Sequence, residues 1–493
     1  MESVGAGALE REHSMIDKRE ILEAASSLGL QPSVVEKDYV LGWLLAGIYA
    51  NSELTDGWVF KGGTCLKKCY FETYRFSEDL DFTLRDEACL DLAFLQRTLG
   101  NVVEWVSDFS GLTIPTDQLS FDIYQNPRGR LSCQGKVGYR GPVSPTSGGW
   151  PKIKLDLTAD EVLVLPPVKR AVFHPYTDGP EGGIWINSYA YEEAFGEKIR
   201  ALGERTRPRD LYDVINLYRH GDTRPSAALL LNVLTKKCEF KSISLPSMGS
   251  LEPHRADLEG MWNAMLAHQL PVLPPVADFW TALPEVFDWI MGGDEVALPA
   301  AIAASAGSVA IRTRELPRRI PNQVRGPLEI IRFAAANHLC VDLAYGGETR
   351  RIEPYSLRET LEGNFILCAT RSDSAEARSY RIDRIDGASV TNQSFNPRYL
   401  IELTTDGPLS IPPTARAESG GLTSFARTSP SRGSRSTTRG FRTTSNGPIY
   451  VYRCPVCSKS FERRTMDGSL NPHKSPNGYP CSGRTGFYVR TKY

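Results

Sequence analysis

The chain has 493 residues, of which 41% are hydrophobic, so it can bury several cores, and about 150 residues per domain predicts roughly three domains. Its formal net charge of −1 excludes a uniformly basic or acidic protein. The sequence shows neither a basic start followed by an apolar run nor an apolar stretch of membrane-spanning length, so a cytoplasmic, membrane-free location is predicted. Seven of the ten cysteines are scattered singly through the first 370 residues, which favours a reducing compartment.

Composition predicts two linkers. Residues 292–325 are rich in Ala, Pro and Arg, with one short helix expected near Ala300, and residues 406–447 form a Ser-, Thr-, Gly- and Arg-rich stretch without an apolar face, which should be flexible. The linkers delimit three segments, 1–291, 326–405 and 448–493. From Thr404 onward fourteen Lys and Arg stand against four Asp and Glu, so this basic tail is expected to contact nucleic acid.

The first chemical motif is a glycine turn between a short strand and a helix. Residues 58–61 read as the strand, Gly62 and Gly63 as a turn that lets backbone approach a ligand, and residues 65–71 as a helix, with Thr64 at its start. Unpaired amides and the positive end of the dipole attract phosphate at such a helix start. The turn therefore predicts a phosphate site.

The next segment, 75–84, alternates as a strand does. Asp79 and Asp81 then point to one face, with their Cα atoms roughly 6.6 Å apart. Two carboxylates at that spacing repel unless a cation lies between them, and Mg²⁺ prefers carboxylate and phosphate oxygens. The alternative is a charged edge strand beside an ordinary turn.

A second alternating segment, 152–158, supplies another carboxylate. Its apolar residues face inward, which places Lys154 and Asp156 on the opposite face. If this strand pairs beside the Asp79 strand, Asp156 completes a triad that activates an attacking hydroxyl, and Lys154 reaches phosphate. An exposed Lys and Asp on a sheet rim is the alternative.

Two amphipathic helices are predicted downstream. Residues 191–202 carry an apolar stripe with Lys198 near its edge, and a second stripe follows Pro208 with Asp210 and Asp213 on one side. A helix surface of solvent-exposed salt bridges would give the same pattern.

The order of these motifs resembles the AbiEii-type nucleotidyltransferase toxins over about residues 15 to 290. The matching motifs are Gly-Gly-Thr-x-Leu from Gly62, Arg-x-Ser-x-Asp-x-Asp from Arg75, Lys-x-Asp at Lys154, Glu-Lys-Ile-Arg-Ala-Leu-x-x-Arg from Glu197, and Arg-Asp-x-x-Asp from Arg209. The run Glu36-Lys37-Asp38-Tyr39 before an apolar helix also fits the family's opening.

The resemblance implies an α+β fold with a DNA polymerase β-like nucleotidyltransferase core, built on a mixed sheet flanked by helices, and a helical C-terminal half. It implies that Asp79 and Asp81 bind Mg²⁺ and that Asp156 is the third catalytic carboxylate. The residues it assigns to nucleotide binding are Gly62, Gly63, Thr64, Lys154, Lys198, Arg205, Arg209, Asp210 and Asp213. The implied function is a toxin or phage-defence effector that transfers a nucleotide from a nucleoside triphosphate to an acceptor such as tRNA and is restrained by an antitoxin.

The middle segment, about 326–403, resembles a WYL domain. A helix is predicted over 328–336, followed by strands over 340–345, 349–357, 364–370 and 378–385. The resemblance implies a small Sm-like β-barrel that binds a nucleotide or single-stranded nucleic acid and regulates the attached effector. Six residues combine aromatic faces with guanidinium groups, which stack bases and hold phosphates: Tyr345, Tyr355, Arg358, Arg378, Arg381 and Arg384. Alternatively, Glu353 and Asp383 pair with these arginines as internal supports.

The C-terminal segment predicts a short zinc ribbon. Cys454, Cys457, His473 and Cys481 supply three thiolates and an imidazole, the ligand types of a tetrahedral structural Zn²⁺ site. The segment is too short for a substantial core, so metal binding would supply much of its folding free energy.

Two other functions stay open. The chain could be a nucleic-acid-binding regulator whose transferase core is inactive or only senses nucleotide. It could also transfer nucleotides to a protein or a small molecule, with the same chemistry and a different acceptor.

Overall fold

The computed structural model describes residues 16–71, 75–220, 224–293, 298, 301, 311–315, 325–360, 364–403, 449–454, 459–463, 470–471, 473–474, 480–481 and 487–492. The chain divides into two compact units, Met1–Glu418 and Ser419–Tyr493. The predicted flexible linker 406–447 lies outside the described residues.

A mixed seven-stranded sheet organises the first half of unit 1. Its strands are β1 Trp58–Lys61, β2 Asp79–Leu84, β3 Leu119–Gln125, β4 Leu131–Gly138, β5 Lys152–Thr158, β6 Val168–Ala171 and β7 Trp185–Ser188. The order across the sheet is β3-β4-β5-β2-β1-β7-β6. The β2–β5 and β1–β7 pairs are parallel and the others antiparallel, so the mixed sheet predicted for the core is confirmed.

Four helices accompany this sheet. They are α1 Lys18–Leu28, α2 Pro32–Ala50, α3 Gly62–Cys69 and α4 Leu92–Ser110. Pro32 begins α2, where its missing N–H costs no hydrogen bond, and the helix is apolar nearly all round and buried. It packs against α4 and β7, and α4 also packs against β3. Both helices therefore contribute apolar side chains to the core that the sheet completes.

The second half of the core is helical, as predicted. Its helices are α5 Tyr191–Arg205, α6 Pro208–Arg219, α7 Ala227–Lys241, α8 Met248–Leu251, α9 Arg255–Leu266, α10 Val276–Trp280 and α11 Leu283–Ile290. Thr206, with φ of 43°, ends α5 in the left-handed region and lets the chain turn at once into α6. The short turn keeps the end of α5 beside the beginning of α6.

The middle segment forms a second sheet, entirely antiparallel. Its elements are β8 Ile311–Glu315, α12 Arg325–Ala336, β9 Leu339–Tyr345, β10 Glu348–Thr360, β11 Phe365–Arg371, β12 Ala377–Arg381 and β13 Ile385–Ser394. The order is β12-β11-β10-β9-β13, with β8 also paired to β10. Among the described residues β12 and β13 are not paired to each other, so the predicted barrel closure is not seen.

Two strands of this region, β8 and most of β13, were not predicted. The linker 292–325 contains β8, which pairs with the far end of β10 because that strand extends to Thr360. The helix predicted near Ala300 falls on a stretch of which only Leu298 and Ala301 are described. Strand β13 was missed beyond its first residue, since its alternation is broken by small and polar residues.

Unit 2 holds a three-stranded sheet in the order β15-β14-β18 and a two-stranded one. The strands are β14 Ile449–Arg453, β15 Ser460–Arg463, β16 His473–Lys474, β17 Pro480–Cys481 and β18 Phe487–Lys492. Across the described parts of both units, no helix combines the length and the apolar character that crossing a bilayer requires.

Candidate active site

The three predicted carboxylates lie on one face of the sheet. Asp81 is the cross-strand partner of Asp156 on β5 and of Lys61 on β1, and Asp79 is the partner of Lys154. Partners on adjacent strands are about 4.8 Å apart and point to the same side. The predicted pairing of β5 beside β2 is therefore confirmed, and Asp79, Asp81 and Asp156 form what we call the acidic cluster.

Charges in the acidic cluster repel one another. Burial raises the pKa of Asp81 to about 6, with Asp156 and Asp79 raising it further and Lys61 and Lys198 opposing the rise. Burial and the charge of Asp79 also raise the pKa of Asp156. A bound divalent cation would relieve this repulsion, and the carboxylate oxygens suit Mg²⁺.

The glycine turn is shaped by the residues around it. Gly62 has φ of 81°, and a Cβ added there would lie 1.9 Å from Asp81 Oδ2. At Gly63 an added Cβ would lie 2.6 Å from Arg75 Nη2. Only glycine fits at Gly62, because the left-handed backbone and the nearby carboxylate both exclude a side chain. The turn thus places the start of α3 directly against the acidic cluster.

Thr64 ties this turn to β2. Its buried hydroxyl donates to the Asp79 carbonyl oxygen at 2.5 Å. The hydroxyl is therefore engaged by the protein itself in this conformation, so its predicted donation to phosphate would require that bond to be replaced. In this conformation the Thr64 hydroxyl fixes the backbone of Asp79, which belongs to the acidic cluster.

A second group of charged residues lies behind the cluster, and we call it the ion-pair network: Arg75, Lys198, Arg205, Asp210 and Asp213. Arg75 donates to both Asp213 oxygens, at 2.7 and 2.8 Å, and Lys198 Nζ lies 2.7 Å from the same carboxylate. Burial alone would raise the pKa of Asp213, but Arg75 and Lys198 hold it well below its usual range.

The same network joins α5 to α6. Arg205 donates to both Asp210 oxygens, at 2.7 and 2.9 Å, and Lys198 lies 3.8 Å from that carboxylate. Asp210 and Asp213 are both fully buried. The structure thus brings together four predicted nucleotide-binding residues, Lys198, Arg205, Asp210 and Asp213, and pairs each of them with another of the four.

Arg209 differs from its neighbours in the motif. Its charge acts on Asp79 and Glu78, and its buried Nε has no hydrogen-bond partner in the described part of the chain. Burial and the nearby charge of Arg75 lower its pKa. Of the predicted nucleotide-binding cations, Arg209 therefore has a donor available beside the acidic cluster.

Lys61 is a site residue that the sequence reasoning did not single out. Its ammonium lies 2.8 Å from Glu161, which also accepts a hydrogen bond from the Tyr189 hydroxyl at 2.9 Å. Lys61 stabilises the charged forms of both Asp81 and Asp156. Its place at the end of a strand, directly before the glycine turn, was the available signal.

Residues 36–39 contact two chain segments that lead into the strands of the acidic cluster. Glu36 is buried and accepts hydrogen bonds from the Ser144 amide and hydroxyl at 2.8 and 2.7 Å, which anchors the loop between β4 and β5. Lys37 pairs with Glu78 at 2.9 Å, next to the acidic cluster in sequence. This opening motif therefore positions two segments that lead into β5 and β2.

The six predicted ligand residues of the second sheet differ in burial and in their partners. Tyr355 is buried and donates to Glu353 at 3.0 Å, and buried Arg358 forms an ion pair with Glu402. Glu353 is thus an internal support, but it supports Tyr355 and Thr370 and not one of the predicted ligand arginines, as the alternative interpretation had expected.

The other four lie nearer the surface. Tyr345 is half-buried, with its ring edge-on to Tyr380 at 5.3 Å. Arg381 pairs with Asp383 at 2.7 Å, Arg378 pairs with a glutamate of its own strand region, and Arg384 is exposed. Any ligand surface here would therefore use Tyr345 and the outer arginines.

In unit 2, Cys454, His473 and Cys481 meet. One ligand atom from each lies within 4.8 Å of the others, and the two thiol sulfurs are 3.7 Å apart. Tetrahedral zinc with Zn–S bonds of about 2.3 Å holds two sulfurs about 3.8 Å apart, so the spacing fits. Cys457, the fourth predicted ligand, lies outside the described residues.

The fold and the acidic cluster define a nucleotidyltransferase core, and a comparison with known families agrees. Residues 43–291 match the family described as nucleotidyl transferase AbiEii toxin, type IV toxin–antitoxin system. The chain belongs to this family and is a nucleotidyltransferase, as the motif resemblance implied.

Two solved structures are also similar. The nucleotidyltransferase toxin MenT4 from Mycobacterium tuberculosis H37Rv shares 19% identity over 57% of this chain and 91% of its own, with a TM-score of 0.36. The proteasome accessory factor B/C of Arthrobacter aurescens shares 15% identity over 42% of this chain and 32% of its own, with a TM-score of 0.14. No curated protein matches the chain. The family assignment rests on the match of residues 43–291 to the AbiEii family.

Proposed function

We propose that the chain is a Mg²⁺-dependent toxin that transfers a nucleoside monophosphate from a nucleoside triphosphate to a hydroxyl of RNA. The observation that carries the proposal is the acidic cluster, where three adjacent carboxylates include two whose pKa values are raised. Sites that hold uncompensated charge in this way are typical of metal-dependent chemistry.

Each residue then has a role. Asp79 and Asp81 would hold Mg²⁺, which supplies charge stabilisation at the phosphoryl oxygens. Asp156 is suited to accept the proton of the attacking hydroxyl, because its raised pKa makes it a better base than an ordinary aspartate. The hydroxyl oxygen attacks the α-phosphorus and pyrophosphate leaves. Lys154 and Arg209 would contact the triphosphate, as would amides of the glycine turn.

The test is transfer of radiolabel from α-labelled nucleoside triphosphates to total RNA. Asp81→Ala should lose label transfer by at least about a thousandfold, since it removes a metal ligand. Asp108→Ala, at an exposed position of α4, is the matched control and should keep wild-type activity. Retained incorporation in Asp81→Ala would refute the assignment.

The acceptor is proposed from the basic tail and by resemblance to the family, with tRNA as the first RNA fraction to test. Label appearing instead in protein or a small molecule would keep the chemistry and change the acceptor. A mobility shift of RNA without any label transfer would favour the rival function, a nucleic-acid-binding regulator. A cognate antitoxin, if co-purified, should suppress transfer.

A second proposal concerns regulation by the WYL-like sheet. The sheet's helix α12 is followed by Asn337 and His338, which lie against Tyr212 and Arg219 of α6. Helix α6 also carries Asp210 and Asp213 of the ion-pair network. A ligand on the sheet could therefore alter the position of the helix that supports the acidic cluster.

The probe for this proposal is a short single-stranded oligonucleotide blocked at its 3′ end, so that it cannot accept a nucleotide. It should change the rate of label transfer in the wild type and not in Arg381→Glu. Arg371→Glu is the matched control, because Arg371 has the same pairing with the aspartate two residues on. Equal responses in all three proteins would rule out this surface as the sensor.

We further propose that Cys454, Cys457, His473 and Cys481 bind one structural Zn²⁺. The 3.7 Å sulfur spacing supports the site. Elemental analysis of the full chain, grown with zinc, should find one zinc per chain and a substoichiometric amount in His473→Ala. His254→Ala, at an exposed position outside the site, should retain zinc. Protein that contains no zinc under these conditions would contradict the proposal.

A further inference from the structure

Strands β3, β4 and β5 of the seven-stranded sheet are covered by the rest of the protein on one face only. On β3, β4 and β5 the inward residues are buried or half-buried, and their neighbours in the sequence are exposed. The exposed set consists of Ser120, Asp122, Tyr124, Gln134, Lys136, Lys152 and Lys154. We call this surface the open sheet face.

Three lysines dominate the charge of the open sheet face. Lys136 on β4 is directly opposite Lys154 on β5, and Lys152 is two residues along the same strand. None of the three takes part in an ion pair in the described part of the chain, although Lys154 lies near Asp156. Like charges placed opposite each other destabilise a sheet. The arrangement is therefore suited to an anionic partner that bridges the lysines.

The same face runs directly into the acidic cluster. Lys154 is the cross-strand partner of Asp79, and Gln134 is the partner of Asp156. A nucleic-acid backbone whose phosphates contact these lysines would therefore have its end beside the catalytic carboxylates. Tyr124, on the outer strand, is 43% exposed and offers an aromatic face on which a base can stack.

We propose that the open sheet face binds the acceptor as a single-stranded nucleic acid. Lys136 and Lys152 hold backbone phosphates, Tyr124 stacks a base, and Lys154, the cross-strand partner of Asp79, contacts the triphosphate. Lysines beside an exposed aromatic ring fit a single-stranded nucleic acid, because its phosphates contact the lysines and one of its bases stacks on the ring. An acidic peptide has no base to stack. The inference rests on the proposed function and extends it, since it assigns the acceptor to a surface.

The first test is a lysine footprint on the full-length protein. Acylation of each lysine is measured by mass spectrometry with and without a single-stranded RNA oligonucleotide. Lys136 and Lys152 should be modified at least about fivefold more slowly with RNA, whereas Lys169, exposed on the opposite edge strand β6, should not change. Unchanged rates at Lys136, or equal protection by polyglutamate, would overturn the proposal. The footprint needs no transfer, so it stands if the enzymatic assignment fails.

The second test separates acceptor from nucleotide. Lys136→Glu should raise the KM for RNA about tenfold and leave the KM for the nucleoside triphosphate unchanged, and Lys136→Ala should reduce the salt dependence of RNA binding by about 0.7 in log–log slope. Tyr124→Ala should also raise the RNA KM, with Tyr124→Phe close to wild type. Lys169→Glu is the charge-matched control. A rise in the triphosphate KM in place of the RNA KM would assign these lysines to the nucleotide instead.

Discussion

The acidic cluster and the ion-pair network contain the same kind of side chain in opposite electrostatic states. Burial raises the pKa of Asp81 to about 6, and the charges of Asp156 and Asp79 add to the rise. Asp213 is fully buried, but it is paired with Arg75 and Lys198, and its pKa is lowered. The two sites are neighbours, because Lys198 also acts on Asp81.

The difference teaches which carboxylates stabilise the fold and which carry the chemistry. Where each buried charge has a partner, the charges hold two helices and β2 together. Where like charges are left close together, the protein loses stability that a bound cation can restore. In this chain the later motifs therefore include a supporting frame, the ion-pair network, beside Arg209, which we propose contacts the nucleotide.

The largest expected effect comes from breaking the network. Asp213→Asn leaves the buried Arg75 and Lys198 without their main counter-charge, and should lower the free energy of unfolding by about 3–5 kcal/mol. Asp108→Asn, on the exposed side of α4, should change it by less than about 0.5 kcal/mol. Denaturant unfolding followed by circular dichroism measures both. Equal stability of the two variants would show that the network is not structural.

Removing a charge from the acidic cluster is expected to stabilise the metal-free protein. In metal-free buffer at pH 8, Asp81→Asn should raise the free energy of unfolding by about 2–3 kcal/mol, since it removes a charge that burial and neighbouring carboxylates disfavour. Because the folded pKa is raised above the unfolded one, the wild type recovers this stability as the pH falls through about 6. The difference should therefore vanish below pH 4. A variant less stable than wild type at pH 8 would contradict the comparison.

A smaller effect is expected at the contact between α3 and β2. Thr64→Val removes the hydroxyl that donates to the Asp79 carbonyl and should cost about 1 kcal/mol of stability. It should also lower transfer, because the backbone of a metal ligand loses its anchor. Thr64→Ser keeps the donor and is the control. If valine and serine variants transferred label equally, the hydroxyl would have no positioning role.

The catalytic half could be predicted well because its signals are local. Alternation along β2 and β5 placed Asp79, Asp81 and Asp156 on one face, and the double glycine marked the turn that the Asp81 carboxylate requires. The pairing of the two strands was a conditional inference, since sequence does not encode which strands are neighbours.

Other features could not be predicted because they depend on contacts between distant residues. Arg75 and Asp213 are 138 positions apart, so nothing local shows that they pair. Tyr355 looked available for stacking, but a bulge in β10 and the packing of Phe395 and Tyr399 bury it. Strand β8 was not predicted because it lies in residues 292–325, whose composition is typical of a linker.

The central claim is that Asp79 and Asp81 bind a divalent cation that the neighbouring negative charge of Asp156 also attracts, and Mn²⁺ binding followed by electron paramagnetic resonance tests it without any acceptor. Wild-type protein should bind Mn²⁺ more tightly as the pH rises through about 6, and Asp156→Asn should weaken binding at least tenfold, while Asp108→Asn should not. Binding to Asp156→Asn that equals the wild type at every pH would contradict the account.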